Sequence, residues 1–362
     1  MKSAGDAEFS ISTSTLSQAY DYQLDGGLKN LAGLLVDFAD VSTVSNVDLF
    51  AKRLGWADYI ELFSRSAHSE LNKQTKDERA SKRSMKSTLK GIYDKIQPNV
   101  TIVIDTFEYW DKIDMYNLST GVHFENANTV ILEKTRFSLD QGRVKLEASV
   151  DISDPHETQF SIEVNADQIS LADLLPKLDY FNVKLLADQA AHSDDIDIDI
   201  QIEGKIHDVD GLQANEIKGS ISFVSKSYNG IAGKIDFQPV LEGDKMIMHS
   251  VIDFSGSPVL FNDFFKNEQF FFEDQGRFIA HFDFTGDLHS LDHLIAEADI
   301  DLDITNGAVL YEEADIVFEL TDVSTTLRGD TADYVLKMKS DALDRELTAT
   351  GVIENISELI YG

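Results

Sequence analysis

Asp195-Ile196-Asp197-Ile198-Asp199-Ile200-Gln201-Ile202 alternates polar and apolar residues without a break. Successive side chains of a strand point to opposite faces, so this run sets its isoleucines on one side and its carboxylates on the other. The same period appears in Val100-Ile102-Ile104, in Val144-Leu146-Ala148-Val150-Ile152, in Ala298-Ile300-Leu302-Ile304 and in Tyr334-Leu336-Met338. Strands with one apolar and one wet face belong to antiparallel sheets, whereas strands of a buried parallel sheet are apolar throughout. The chain therefore reads as mostly β.

Several of these strands run into a glycine followed by a helical spacing. Counting from Gly286, apolar residues fall at −4 and −2 (Phe282, Phe284) and then at +5, +8 and +9 (Leu291, Leu294, Ile295). The register recurs around Gly26, Gly204, Gly256 and Gly351, and around Ala166 with Ile162 and Val164 before it. The +4 residue is Asn30, Ser170, Asp208, Ser290 or Asn355, each able to cap a helix, and Leu260 is the exception. Repetition of one register predicts strand-Gly-short-helix corners, with glycine supplying the sharp turn. Irregular gaps between the copies argue against a strict solenoid and for a meandering sheet.

One stretch breaks the pattern. From Val47 the spacing of Leu49, Phe50 and Leu54, then Ile60, Leu62 and Phe63, is helical, and Lys73, Lys76, Arg79, Lys82, Arg83, Lys86 and Lys90 follow in a polar run. The expected organisation is a first strand-Gly-helix unit over 1–45, a helical, basic and partly mobile insertion over 46–97, and a β repeat region over 98–362. Deleting 69–87 is expected to leave the fold intact.

Composition narrows the function classes. Sixty-four acidic against 31 basic residues give a net charge of −33, which repels the phosphates of nucleic acid. With no cysteine, thiolate metal sites, disulfides and Cys nucleophiles are excluded. There is no Gly-rich phosphate loop, no G-x-S-x-G elbow and no H-E-x-x-H. His289 and His293, with His281 nearby, flank the polar side of an expected helix and read as surface residues rather than zinc ligands. The carboxylates of Asp299, Asp301 and Asp303 stand in a row instead of converging as calcium requires, and read as a solvated face. Phe261, Phe264 and Phe265 take core positions of the repeat, while among the consecutive Phe270, Phe271 and Phe272 at least one must face away from its neighbours. No enzymatic activity, cofactor or metal is expected.

The corners Phe282-Asp283-Phe284-Thr285-Gly286-Asp287-Leu288-His289-Ser290-Leu291 and Leu347-Thr348-Ala349-Thr350-Gly351-Val352-Ile353-Glu354-Asn355-Ile356 resemble those of the AsmA-like family of bacterial envelope proteins, in particular the C-terminal region of its Bacteroidetes-type members. The resemblance runs from about Phe9 to the end, interrupted by the basic stretch. It implies a long curled antiparallel sheet forming an apolar groove, in a periplasmic protein anchored in the inner membrane and engaged in phospholipid transport or outer-membrane assembly. The partners it implies are phospholipid acyl chains, other envelope proteins, and the membrane through an N-terminal anchor that this chain lacks. Candidate groove residues are Ile102, Ile104, Ile162, Val164, Ile198, Ile200, Phe282, Phe284, Ile300 and Leu302. The alternative is a structural or adhesive β-sandwich with no lipid ligand, in which the apolar faces pack on each other.

Overall fold

The computed structural model describes residues 7–14, 21–28, 45–55, 98–109, 113–126, 128–139, 141–154, 157–170, 195–207, 211–212, 216–225, 231–242, 245–262, 269–286, 299–329, 331–340, 342 and 344–354. These residues are mostly β. The chain divides into two compact units, the first comprising residues 1–188 and 199–213, the second 189–198 and 214–362.

The first unit is a ladder of neighbours. Its strands are β1 (Ala7–Ser14), β2 (Asp21–Leu28), β3 (Ser45–Gly55), β4 (Pro98–Tyr109), β5 (Ile113–Phe124), β6 (Thr129–Leu139), β7 (Gly142–Asp151) and β8 (Glu157–Ile169). Each pairs antiparallel with the next except β3 and β4, which run parallel from Ser45↔Pro98 to Gly55↔Glu108. β9 (Ile196–His207) carries the alternating isoleucines and pairs with the two-residue β10 (Gly211–Leu212). Asn165 Nδ2 donates to Asp199 Oδ1 at 2.7 Å and Lys205 sits 3.0 Å from Glu157, tying β9 to β8. Register turns the sequence alternation into rows across the strands. Val47, Val100, Val122, Leu132, Ala148 and Ile162 stand side by side in six consecutive strands, β3 to β8. A neighbouring row holds Leu49, Ile102 and Thr120, then Thr135, Leu146 and Val164. Bulges in β5 and β6 interrupt that row, with Asn117 and Lys134 at φ 54° and 55°. At the interruption the buried hydroxyls of Thr120 and Thr135 satisfy each other at 2.6 Å.

The second unit comprises β11 (Lys218–Ser225), β12 (Ala232–Glu242), β13 (Lys245–Gly256), β14 (Phe270–Phe272), β15 (Arg277–Gly286), β16 (Asp299–Thr305), β17 (Gly307–Tyr311), β18 (Ile316–Arg328), β19 (Thr331–Ser340) and β20 (Arg345–Glu354). Among the described residues its strands pair antiparallel. The order β11-β12-β13-β15-β16-β18-β19-β20 carries one unbroken apolar row, Ile221, Ile235, Ile252, Phe282, Ile300, Leu327, Ala332 and Ile353. β17 continues β16 along β18, and β14 lies on its far side. The core centres on Phe278, Ala280, Ile304 and Leu320, with Phe284 buried apart against Ile252 and Ile300.

Three expectations change against these strands. The glycine does not end its strand at three of the expected corners: β2 runs past Gly26, β9 past Gly204 and β20 past Gly351, as β8 runs past Ala166, whereas β13 and β15 do end at Gly256 and Gly286, and the only glycines with positive φ among the described residues are Gly276 and Gly329. Gly351 instead makes room for a ring, because a Cβ there would stand 2.8 Å from the hydroxyl of Tyr334 across the strand pair. The expected helices after Gly26, Ala166, Gly286 and Gly351 lie outside the described residues, and after Gly204 the expected helical residue Leu212 stands instead in β10, paired with Ile206. After Gly256 there is a 3-10 turn at Pro258–Leu260, capped by Ser257, whose hydroxyl accepts from the Val259 N–H at 3.4 Å. Secondly, Val47 to Gly55 is strand and not helix, and Val47, Leu49 and Ala51 share its apolar face. The remainder of the basic stretch, 56–97, lies outside the described residues. Thirdly, the pairing is not wholly antiparallel, since β3 and β4 are parallel.

Candidate functional site

Each sequence-identified groove residue lies on the apolar face of its strand, and they form separate groups. In the first unit Ile102 stands between Leu49 and Thr120, Ile104 between Ala51 and Leu118, Ile162 opposite Ala148, and Val164 opposite Leu146. Ile104 is a core residue at 2% exposure, while Ile102, Ile162 and Val164 are half-buried. Ile198 and Ile200 are half-buried positions of β9. In the second unit Phe282 faces Ile300, Leu302 faces Ala280, and Phe284, at 1% exposure, faces Ser250. Phe284 and Ile104 are therefore sealed, whereas Phe282, Ile300 and Leu302 remain partly open.

An apolar concavity of the second unit lies beside these residues. It has a volume of about 430 Å³ and is lined by Phe272, Ile304, Val309, Leu320, Met338 and Leu347 with Phe270, Phe318, Val323 and Leu336. Its cause is a line of irregularities crossing three adjacent strands. Phe272 pairs with Val309 and Arg277 with Thr305, so residues 273–276 oppose 306–308 and the β14–β15 side carries one residue more. Asn306 takes φ 53° between β16 and β17, and the register of β18 on β19 slips between Leu320 and Asp322. Bulges increase local twist and bend the strands that carry them. Gly276, at φ 83°, is required here: a Cβ would stand 2.5 Å from the Asn306 carbonyl carbon.

Aromatic rings close one end of the concavity. Phe272 packs on Phe261 at 5.5 Å between ring centroids, Phe261 on Phe278 at 4.9 Å, Phe278 on Phe254 at 5.3 Å, and Phe254 on Phe223 at 6.2 Å. The side chain of Asn262 acts as a missing strand neighbour for β14. It accepts from the Phe272 N–H at 2.7 Å and donates to the Phe272 carbonyl at 2.8 Å. Of the three consecutive phenylalanines, Phe270 is 45% exposed at the rim, where it stacks on Tyr311 at 5.0 Å.

The wet face is cross-linked rather than simply solvated. Thr326 donates to Asp301 at 2.8 Å and Arg328 donates to both its oxygens, and this hydrogen bond from Thr326, followed by Arg328, holds the Asp301 carboxyl below its usual value. Asp283 and Asp299 stand directly opposite each other, an arrangement that repels. Arg328 at 3.4 Å from Asp299 offsets it, and His249 lies 3.4 Å from Asp283. His281 is 2.7 Å from Asp253. His289 and His293 lie outside the described residues. No helix among the described residues is long and apolar enough to cross a membrane.

No family model, no curated protein and no solved structure matches this chain. Sequence reasoning did not single out Leu320, Val323, Phe318 or Arg345. The signal was present for the first two: Leu320-Thr321-Asp322-Val323 places two polar residues between apolar ones, a break in period that marks a bulge.

Proposed function

We propose that this chain is a non-enzymatic lipid-binding segment of an AsmA-like bacterial envelope protein, acting on the periplasmic side in phospholipid transport or outer-membrane assembly. In this reading its apolar strand faces form a curled groove that shelters acyl chains, and the full-length protein is held at the inner membrane. The observation that carries the lipid reading is the half-open state of an apolar face that runs in register through eight strands. A sandwich would bury Phe282, Ile300, Leu302 and Leu336 under a second sheet, yet all four are only partly covered, and Leu347 on the same face is 52% exposed. Moving a bare acyl chain of about 15 carbons through water costs on the order of 12 kcal/mol, and an apolar strip removes most of that barrier. Exposed apolar surface of this continuity marks a binding face. The resemblance of the Gly286 and Gly351 sequences to the AsmA-like family adds the envelope setting.

The test pairs lipid content with stability. Organic extracts of the purified chain should contain acyl lipid in at least stoichiometric amount by mass spectrometry. Ile300→Asp should remove that lipid, because an acyl chain cannot solvate a carboxylate. Since Ile300 also touches Phe284, the variant should lose about 1–3 kcal/mol and still unfold cooperatively. A lipid-free wild-type protein, or a variant unable to fold, would favour the sandwich.

A further inference from the structure

The concavity of the second unit has a direction. Three rows of side chains cross it from strand to strand. One is Ile304, Val323, Leu336 and Ala349; the next is Gly307, Leu320, Met338 and Leu347. The third starts at Phe272, passes Val309 and Phe318, and continues to Ser340 and Arg345, because the pairing of Glu319 with Lys339 sets Phe318 beside Ser340. Its Phe272 end is shut by Phe261 and fixed by Asn262. Its other end reaches β20 with two polar groups that no described residue uses. Arg345 is exposed and forms no ion pair among the described residues, although the chain carries a net charge of −33. Opposite it, the buried hydroxyl of Ser340 has no hydrogen-bond partner among them.

Resting on the lipid reading above, we infer that this slot takes one acyl chain of an anionic lipid lying across the strands, its charged head at Arg345 and its methyl end against Phe272. Short of Ser340 and Arg345, every residue lining the cavity is apolar, so a peptide or sugar laid there would leave its own donors and acceptors unpaired. An acyl chain has none to lose. Length and volume agree on its size. Five strands, four spacings of about 4.8 Å, give about 19 Å, and a zigzag of bonds of about 1.5 Å advances about 1.25 Å per carbon, which is about 15 carbons. The 430 Å³ cavity holds about as many groups of roughly 30 Å³, the share of one water molecule. The head is assigned by charge. The chain as a whole is acidic, and Arg345 supplies the complementary group at the open end of the row.

Displacement of a fluorescent apolar probe from the full chain, at a pH where carboxylic acids are ionised, separates the claims. The competitors are saturated fatty acids of increasing length and their methyl esters. Affinity should rise with length and level off near about 15 carbons, with acids binding at least as tightly as esters. Arg345→Gln should weaken the acids about tenfold and leave the esters unchanged. Phe272→Trp should move the plateau to shorter chains. If acids and esters bind alike in both wild type and Arg345→Gln, the head assignment is overturned while the lipid reading stands. A plateau that does not move in Phe272→Trp overturns the orientation. If no competitor of either kind displaces the probe, the lipid reading itself falls.

Discussion

The two units use the same alternation with side chains of different size. In the first, the apolar rows are mainly valine, isoleucine, leucine and alanine, and the bulges of β5 and β6 are filled by a mutually satisfied threonine pair. In the second, phenylalanines stand on four neighbouring elements, and the bulges crossing β15 to β18 open a concavity instead of closing around a polar pair. Period therefore decides which face is apolar. Volume and register slips decide whether that face is a plain surface or a container.

The most damaging way to probe the contrast is to remove its central ring. Phe278→Ala deletes the side chain shared by Phe254 and Phe261 and should cost about 3–5 kcal/mol in urea unfolding, whereas Ile104→Val in the first unit should cost only about 0.5–1.5 kcal/mol. Similar losses in both would mean that the second unit is no more dependent on its rings than the first is on its aliphatics. A smaller effect concerns the threonine pair. Thr120→Val or Thr135→Val alone strands a buried hydroxyl and should cost about 1–3 kcal/mol, while the double variant should recover most of that loss. Additive losses would show that the pair is not what fills the bulge.

The wet faces offer a third comparison, weaker again. Asp301 has its carboxyl held below the usual value of about 3.9, first by Thr326 and then by Arg328, so its contribution is present above that value and fades as pH falls through the lowered one. Thr326→Val should therefore lower stability at neutral pH, with the gap to wild type closing in acid. A gap that persists at the lowest pH would refute the assignment. The smallest effect is expected in the first unit. Removing residues 69–87 leaves more of the 56–97 connection than the dozen or so residues that a parallel crossover needs, and the melting temperature should hardly move. A lost cooperative transition would mean that those residues are part of the unit.

Much of the strand pattern was legible because it is local. Ile196 to Ile202, Ile300 to Ile304 and Tyr334 to Met338 can be read as one-sided strands from neighbours two positions away. Glycines misled because their reason is not local. Gly351 sits in a strand to accommodate Tyr334, a relation that exists only after pairing. Leu49, Phe50 and Leu54 fit a helix by spacing, and only the partnership with Ile102, Val103 and Phe107 reveals the strand. The candidate site was half visible. Phe282, Ile300 and Leu302 follow from alternation, but the slot depends on a register slip between Leu320 and Asp322 and on bringing Phe272 and Arg345 to opposite ends of one row.

The parallel join of β3 to β4 also bears on how the first unit assembles in time. Neighbouring antiparallel strands such as β6, β7 and β8 can zip from short turns, with little chain to gather before the first contacts form. β3 and β4 have no such turn. Their ends meet only after the whole 56–97 connection has been closed into a loop, an entropic cost about 2 kcal/mol above that of a tight hairpin. That junction should form late and set the folding rate, and until it closes, the β4 edge, with Ile102 and Ile104 beside it, stands open to the wrong strand.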